Sequence, residues 1–209
     1  MVPKHGALIF DLDGVLVDST AVVERAWRWW ADEQGLAVGQ VLAIAHGRPT
    51  RDVVRELTPH LDSDEQARRL DAWETEQSAR LMPIPGAAEC LMAAGRGAWA
   101  IVTSGGRELA TARLLAAGLP LPRVLVSADD VGHGKPNPEP YERASRKLRV
   151  PSASCLVVED APAGIAAAKG AGMTVLAVST THPASALREA DHIFDSMYEV
   201  RGYLSSSIL

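Results

Sequence analysis

Ala7-Leu8-Ile9-Phe10-Asp11-Leu12-Asp13-Gly14-Val15-Leu16-Val17-Asp18-Ser19 is the stretch that decides the fold. Its apolar opening is short and unbroken, the pattern of a strand covered on both faces. It ends on two acids one residue apart, followed by glycine. Two carboxylates held together at the end of a buried strand repel each other where water is scarce. A divalent cation between them removes that penalty. One acid can then stay an anionic nucleophile while its neighbour handles protons. The plainer reading is a strand-to-turn junction with both acids in water.

Three segments further on supply partners for the chemical reading. Trp99-Ala100-Ile101-Val102-Thr103-Ser104-Gly105-Gly106 is an apolar run ending in a hydroxyl and a small-residue turn that opens a helical pattern. His133-Gly134-Lys135-Pro136-Asn137-Pro138 sets a lysine in a loop too rich in Pro and Gly to be regular. Cys155-Leu156-Val157-Val158-Glu159-Asp160-Ala161-Pro162-Ala163-Gly164 is another buried strand ending on adjacent acids.

Strands are predicted at about 7–11, 98–103, 123–127, 154–159 and 174–178, with helical patterns at Arg107–Ala117, Pro138–Leu148 and Pro162–Ala171. This alternation predicts an α/β fold, a doubly wound, Rossmann-like parallel sheet. Such sheets bind ligands beyond the carboxyl ends of their strands, where Asp11, Thr103, Lys135 and Asp160 all fall. Between Val17 and Pro83 only helical patterns appear: Ser19–Glu33, Arg51–Leu57 and Glu65–Leu81, the first with Asp18 or Ser19 as its cap. The predicted organisation is therefore a catalytic core of residues 1–16 and 84–209 and an inserted helical cap of residues 17–83. A cap on two short hinges suits a lid over substrate. Trp27 and Trp30 share a helix face and are expected to pack the cap core, with Trp29 against the sheet domain or solvent. Ser205–Ser207 reads as a frayed end.

With 47% hydrophobic and 22% charged residues the chain reads as a soluble globular protein, and a net charge of −5 argues against nucleic acid as a partner. No apolar run approaches the roughly 20 residues of a membrane helix. Cys90 and Cys155 match no metal or redox spacing and lie in apolar segments, so they are expected to be buried free thiols of a reducing cytoplasm. The first strand begins too early to leave room for a signal peptide. A monomer or weak homodimer is expected.

Together the four segments resemble the four motifs of the haloacid dehalogenase-like hydrolase superfamily, in their usual order. The inserted cap is like that of its helical-cap members. Ala21–Trp27, Val41–Arg48, Val102–Gly105 and Val157–Gly164 also resemble the bacterial sugar phosphatases and the yeast glycerol-phosphate and 2-deoxyglucose-phosphate phosphatases. The resemblance implies Mg²⁺-dependent hydrolysis of phosphate monoesters of sugars or polyols. In it Asp11 attacks phosphorus to form an aspartyl phosphate, while Asp13 protonates the leaving oxygen and later takes a proton from water. Thr103 and the amides of Ser104 and Gly105 hold the phosphoryl oxygens, and Lys135 balances their charge. Asp11, the backbone carbonyl of Asp13 and Asp160 hold Mg²⁺, with Glu159 ligating directly, through water or from behind.

Asp13 narrows the reaction. Dehalogenases resemble Asp-x-Tyr here and transport ATPases Asp-Lys-Thr. Phosphonate hydrolases need a cap lysine, and Val15 to Met82 contains none. Phosphatase remains, with a sugar phosphomutase of the β-phosphoglucomutase type as the alternative. Substrate contacts are expected from His46 and Arg48 in the cap, with Arg51 beside them, and from Arg107 after the phosphate-binding turn. A regulatory protein on an inactive scaffold is the rival class; it would not need the intact Asp11, Asp13, Lys135 and Asp160.

Overall fold

In the computed structural model, which describes residues 6–208 apart from His46 and Arg96, β1 (Ala7–Asp11) is buried along its whole length. It runs through the middle of a six-stranded sheet. On one side lies β4 (Ala98–Val102), pairing Val102 with Asp11; on the other lies β6 (Cys155–Glu159), pairing Val158 with Phe10. Beyond these are β5 (Leu125–Val126) on one side and β7 (Thr174–Val178) and β8 (His192–Phe194) on the other, and every pairing in the sheet is parallel. The chain builds one side of β1 first and then crosses back to build the other. That reversal opens a crevice at the carboxyl edge beside β1.

The alternation of side chains along β1 fills both layers. Leu8 and Phe10 join a cluster with α5 (Ala87–Ala94), α6 (Arg107–Ala116) and α9 (Met197–Ile208). Ala7 and Ile9 join one with α7 (Glu139–Leu148) and α8 (Pro162–Gly170). This is the expected doubly wound architecture. It adds an edge strand, β8, that is too short and exposed to give a periodic signal. Residues 205–208 continue helix α9, whose Met197, Val200 and Leu204 pack into the core, where the sequence suggested a frayed end.

The insertion comprises α1 (Thr20–Gln34), α2 (Val38–Ala45), α3 (Thr50–Leu57) and α4 (Ser63–Gln77). It has its own core of Ala26, Trp27, Trp30, Val41, Val53, Val54 and Leu70. Trp27 and Trp30 meet edge to face at 5.5 Å, as their shared helix face predicts. Trp29 instead stacks on Trp73 of α4 at 5.9 Å, with the Arg69 guanidinium over its ring. Where the chain enters and leaves the cap, β2 (Val17–Asp18) and β3 (Met82–Pro83) pair antiparallel and tie the two crossings together. Cys90 and Cys155 are buried free thiols on opposite faces of the sheet. Among the described residues no helix is long and apolar enough to cross a membrane.

Candidate active site

β1 delivers Asp11 to the crevice, and the turn after it brings Asp13 alongside. Gly14 makes that turn possible. Its φ is +79°, and a Cβ there would strike the Asp160 carboxylate and the Thr181 methyl group. Lys135 comes from the loop before α7 and is 2% exposed, so its charge needs partners. It finds them in Asp11 and, at 2.6 Å, in Glu159 Oε1. The Tyr141 hydroxyl donates to the same Glu159 oxygen at 2.6 Å. The amides of Asp160 and Ala161 donate to Oε2 at 2.9 and 3.2 Å. A Cβ on Gly164 of α8 would fall on this carboxylate. Glu159 is thus committed to four donors and orients Lys135. Asp160 receives the Thr181 hydroxyl.

Asp11, Glu159 and Asp160 each offer an oxygen within 4.8 Å of the others, and all three residues are buried. Three buried carboxylates face a single lysine, leaving an excess of negative charge that solvent screens poorly. Burial pushes the Asp11 carboxyl up to about 7 although Lys135 pulls it down. Burial drives Asp160 well above the usual carboxylate range, and the charges of Asp11 and Glu159 add to that. Burial opposes the Lys135 charge too, but Asp11 and Glu159 outweigh it and keep the ammonium protonated. A buried set of hard oxygen donors with surplus negative charge is what a small divalent cation requires, so this cluster could hold one.

Asp13 has a separate setting. Its Oδ1 accepts from Ser19 Oγ at 2.6 Å and forms an ion pair with Arg113 at 2.8 Å, and Thr103 Oγ1 lies 3.5 Å from Oδ2. Ser19 occupies the N-cap position of α1, as expected, yet its hydroxyl turns to Asp13 and not to the helix. Arg113, on α6, is 2% exposed and also pairs with the buried Glu74 of α4. One turn earlier on α4, Asp71 accepts from the Gly106 amide, at the head of α6, at 2.9 Å. Cap helix α4 is therefore fastened to core helix α6 at two points beside Asp13. Within the turn that joins β4 to α6, the Gly105 amide donates to Thr103 Oγ1 at 3.1 Å. The Ser104 hydroxyl donates to the Gly47 carbonyl of the cap at 3.1 Å.

The resulting cleft is lined by Asp11, Asp13, Ser104, Gly105 and Asp160 from the core, and by Trp27, Arg48, Asp71 and Glu74 from the cap. Arg48 bonds Glu56 at 2.8 Å. Arg51 donates to the Val131 carbonyl at 2.9 Å, fastening the cap to a core loop. Arg107 is held by Asp130 and the Leu125 carbonyl and is not in the cleft wall. His46 lies outside the described residues. Tyr141, Arg113, Thr181, Asp71 and Glu74 had no place in the sequence reading. For Arg113 a signal was present: it falls on the face of α6 that carries Leu109, Ala110 and Leu114.

Burial pushes Asp71 up to about 6, against the Gly106 amide and Arg113. With the folded value above the unfolded one, the unfolded chain gives up this proton first, so folded stability is lost as pH rises through about 4 to 6. Asp71→Asn keeps an acceptor for Gly106 and should raise the melting temperature by a few degrees near pH 7.5, and by less near pH 4.5. Calorimetry at the two pH values checks this; equal shifts would contradict it.

A family profile described as "Hydrolase: haloacid dehalogenase-like hydrolase" matches residues 5–172. The chain is 39% identical to hexitol phosphatase A of Escherichia coli over 197 residues, covering 92% of this chain and 91% of that protein. It is 31% identical to glycerol-1-phosphate phosphohydrolase 2 of Saccharomyces cerevisiae over 198 residues, 89% of this chain and 79% of that one. The crystal structure of a hydrolase from Pseudomonas syringae superposes with a TM-score of 0.84 at 28% identity, covering 96% of this chain and 98% of that one.

Proposed function

The chain belongs to the haloacid dehalogenase-like hydrolase family, and we propose that its cleft hydrolyses phosphate monoesters of sugars or polyols, with Mg²⁺ as cofactor and an aspartyl phosphate on Asp11 as intermediate. The observation that carries this reading is the contrast between two carboxylates on one turn. Asp11 faces Lys135 within the buried acidic cluster, whereas Asp13 is held apart by Ser19 and Arg113. Lys135 and a cation held by the acidic cluster would keep Asp11 anionic for attack, and Asp13, outside that cluster and beside cap helix α4, is placed on the side where the leaving group lies.

In the first step an Asp11 oxygen attacks phosphorus in line and the bond to the leaving oxygen breaks, while Asp13 gives that oxygen a proton. In the second step Asp13, now a carboxylate, takes a proton from water. The water oxygen attacks phosphorus and frees Asp11. An acyl phosphate is labile, which is why a carboxylate suits a hydrolase better than a hydroxyl would. Thr103 and the amides of Ser104 and Gly105, at the head of α6, hold the phosphoryl oxygens, and Lys135 offsets their charge. When bound by Asp11, Asp160 and the Asp13 carbonyl, with Glu159 in contact or behind, Mg²⁺ supplies positive charge to the phosphoryl group. Residues 17–83 act as the lid over the leaving group, with Arg48 and His46 among its substrate contacts. Residues 1–16 and 84–209 hold the phosphoryl group. We place the protein in the cytoplasm as a monomer or weak homodimer, a setting that suits its buried free thiols.

The test is inorganic phosphate release from a panel of sugar, polyol and nucleotide monophosphates. Release is expected from hexose or polyol esters with Mg²⁺, is expected to vanish with EDTA, and should return with added Mg²⁺. Full activity after exhaustive chelation would remove the metal from the account. Silence across the whole panel would remove the hydrolase.

A further inference from the structure

We infer that Asp71 and Glu74, carried by cap helix α4 into the cleft, select neutral polyhydroxylated leaving groups and reject those bearing a second anionic group. The inference rests on the phosphatase reading and names the residues that set its substrate class. Three residues apart, the two acids share a face of α4, and both line the cleft. The cations described in the cleft wall are already matched with carboxylates. Arg113 lies between Asp13 and Glu74, and Arg48 is paired with Glu56. Helix N-termini are ready anion sites, but here the Gly106 amide at the head of α6 already faces the Asp71 carboxylate. A phosphate, sulfate or carboxylate on the leaving group would meet two acids of its own sign. A hydroxyl would meet acceptors, because the bonds to Gly106 and Arg113 each use one oxygen and leave the second for substrate. Burial pushes these carboxyls up, to about 6 and about 7, so the cap keeps two acids where neutral residues would be easier to hold. The same wall disfavours the bisphosphate that a phosphomutase has to bind.

Two substrate pairs isolate the effect, each differing by one carboxylate: glycerol 3-phosphate against 3-phosphoglycerate, and a hexitol 6-phosphate against 6-phosphogluconate. Values of kcat/KM are measured with Mg²⁺ for the wild type, Asp71→Asn and Asp71→Lys. The wild type should prefer the neutral member of each pair it accepts by more than about tenfold. Asp71→Asn should narrow the preference by about fivefold, and Asp71→Lys should narrow it further. Each ratio is taken on one enzyme preparation, so a loss of folded protein cancels. Comparable rates on both members in the wild type, or a ratio that Asp71→Asn leaves unchanged, would overturn the inference while the phosphatase reading stands. No release from either pair or from p-nitrophenyl phosphate would overturn both. Conversion of a sugar phosphate to an isomer in the presence of its bisphosphate would also overturn the inference.

Discussion

Asp11→Asn is expected to lower phosphate release by about 10⁴-fold or more for every substrate, activated aryl phosphates included. The amide keeps the size of the side chain and can still accept from Lys135, but it cannot attack phosphorus. Because the nucleophile is needed whatever group departs, a good leaving group should give no rescue. The fold should survive. Asp11 is an acid that burial pushes up to about 7, so neutralising it relieves crowding among three buried carboxylates, and the melting temperature should hold or rise. Substantial turnover in a folded variant would mean that water attacks phosphorus directly.

Asp13→Asn should show the opposite dependence on the leaving group. Esters of sugars and polyols need a proton delivered to an alkoxide, so their hydrolysis should fall by about 10²–10⁴-fold. p-Nitrophenolate departs without one, and the first step with that substrate should be largely spared. The second step still lacks its base. Stopped-flow measurements should therefore resolve a burst of p-nitrophenol approaching one per active site, followed by slow turnover. Equal losses for both substrate types and no burst would place Asp13 in a structural role. That outcome is plausible to test because Ser19, Arg113 and Thr103 all converge on this side chain.

These predictions use residues that were legible in the sequence, and the reason is local. Asp11, Asp13, Thr103, Glu159 and Asp160 follow buried strands whose apolar runs are unmistakable, and Lys135 stands in a Pro- and Gly-rich loop. Strand ends of a parallel sheet converge, so placing the strands placed these residues. Thr181 comes from the loop after β7, and the other residues that were not legible lie on helices. Tyr141 fits the apolar stripe of α7, and only its bond to Glu159 distinguishes it from a core aromatic. Glu74 and Asp71 belong to a helix dense in charge, where any acid reads as solvated until its partner on α6 is known. Arg107 shows the converse. Sequence proximity to the phosphate-binding turn put it beside substrate, but α6 carries its side chain toward Asp130. α2 was hidden for a different reason. Val38–Ala45 is only eight residues long and mostly apolar, a short run that periodicity alone does not assign to helix or strand.

The central claim is that phosphorus passes through a covalent bond to Asp11. Stereochemistry at phosphorus tests it most directly. A phosphorothioate ester of the substrate, made chiral at phosphorus with two oxygen isotopes, is hydrolysed in water carrying the third, and the configuration of the released inorganic thiophosphate is determined. Each in-line displacement inverts phosphorus, so attack by Asp11 followed by attack by water predicts overall retention. Overall inversion would mean a single direct displacement by water and would contradict the account.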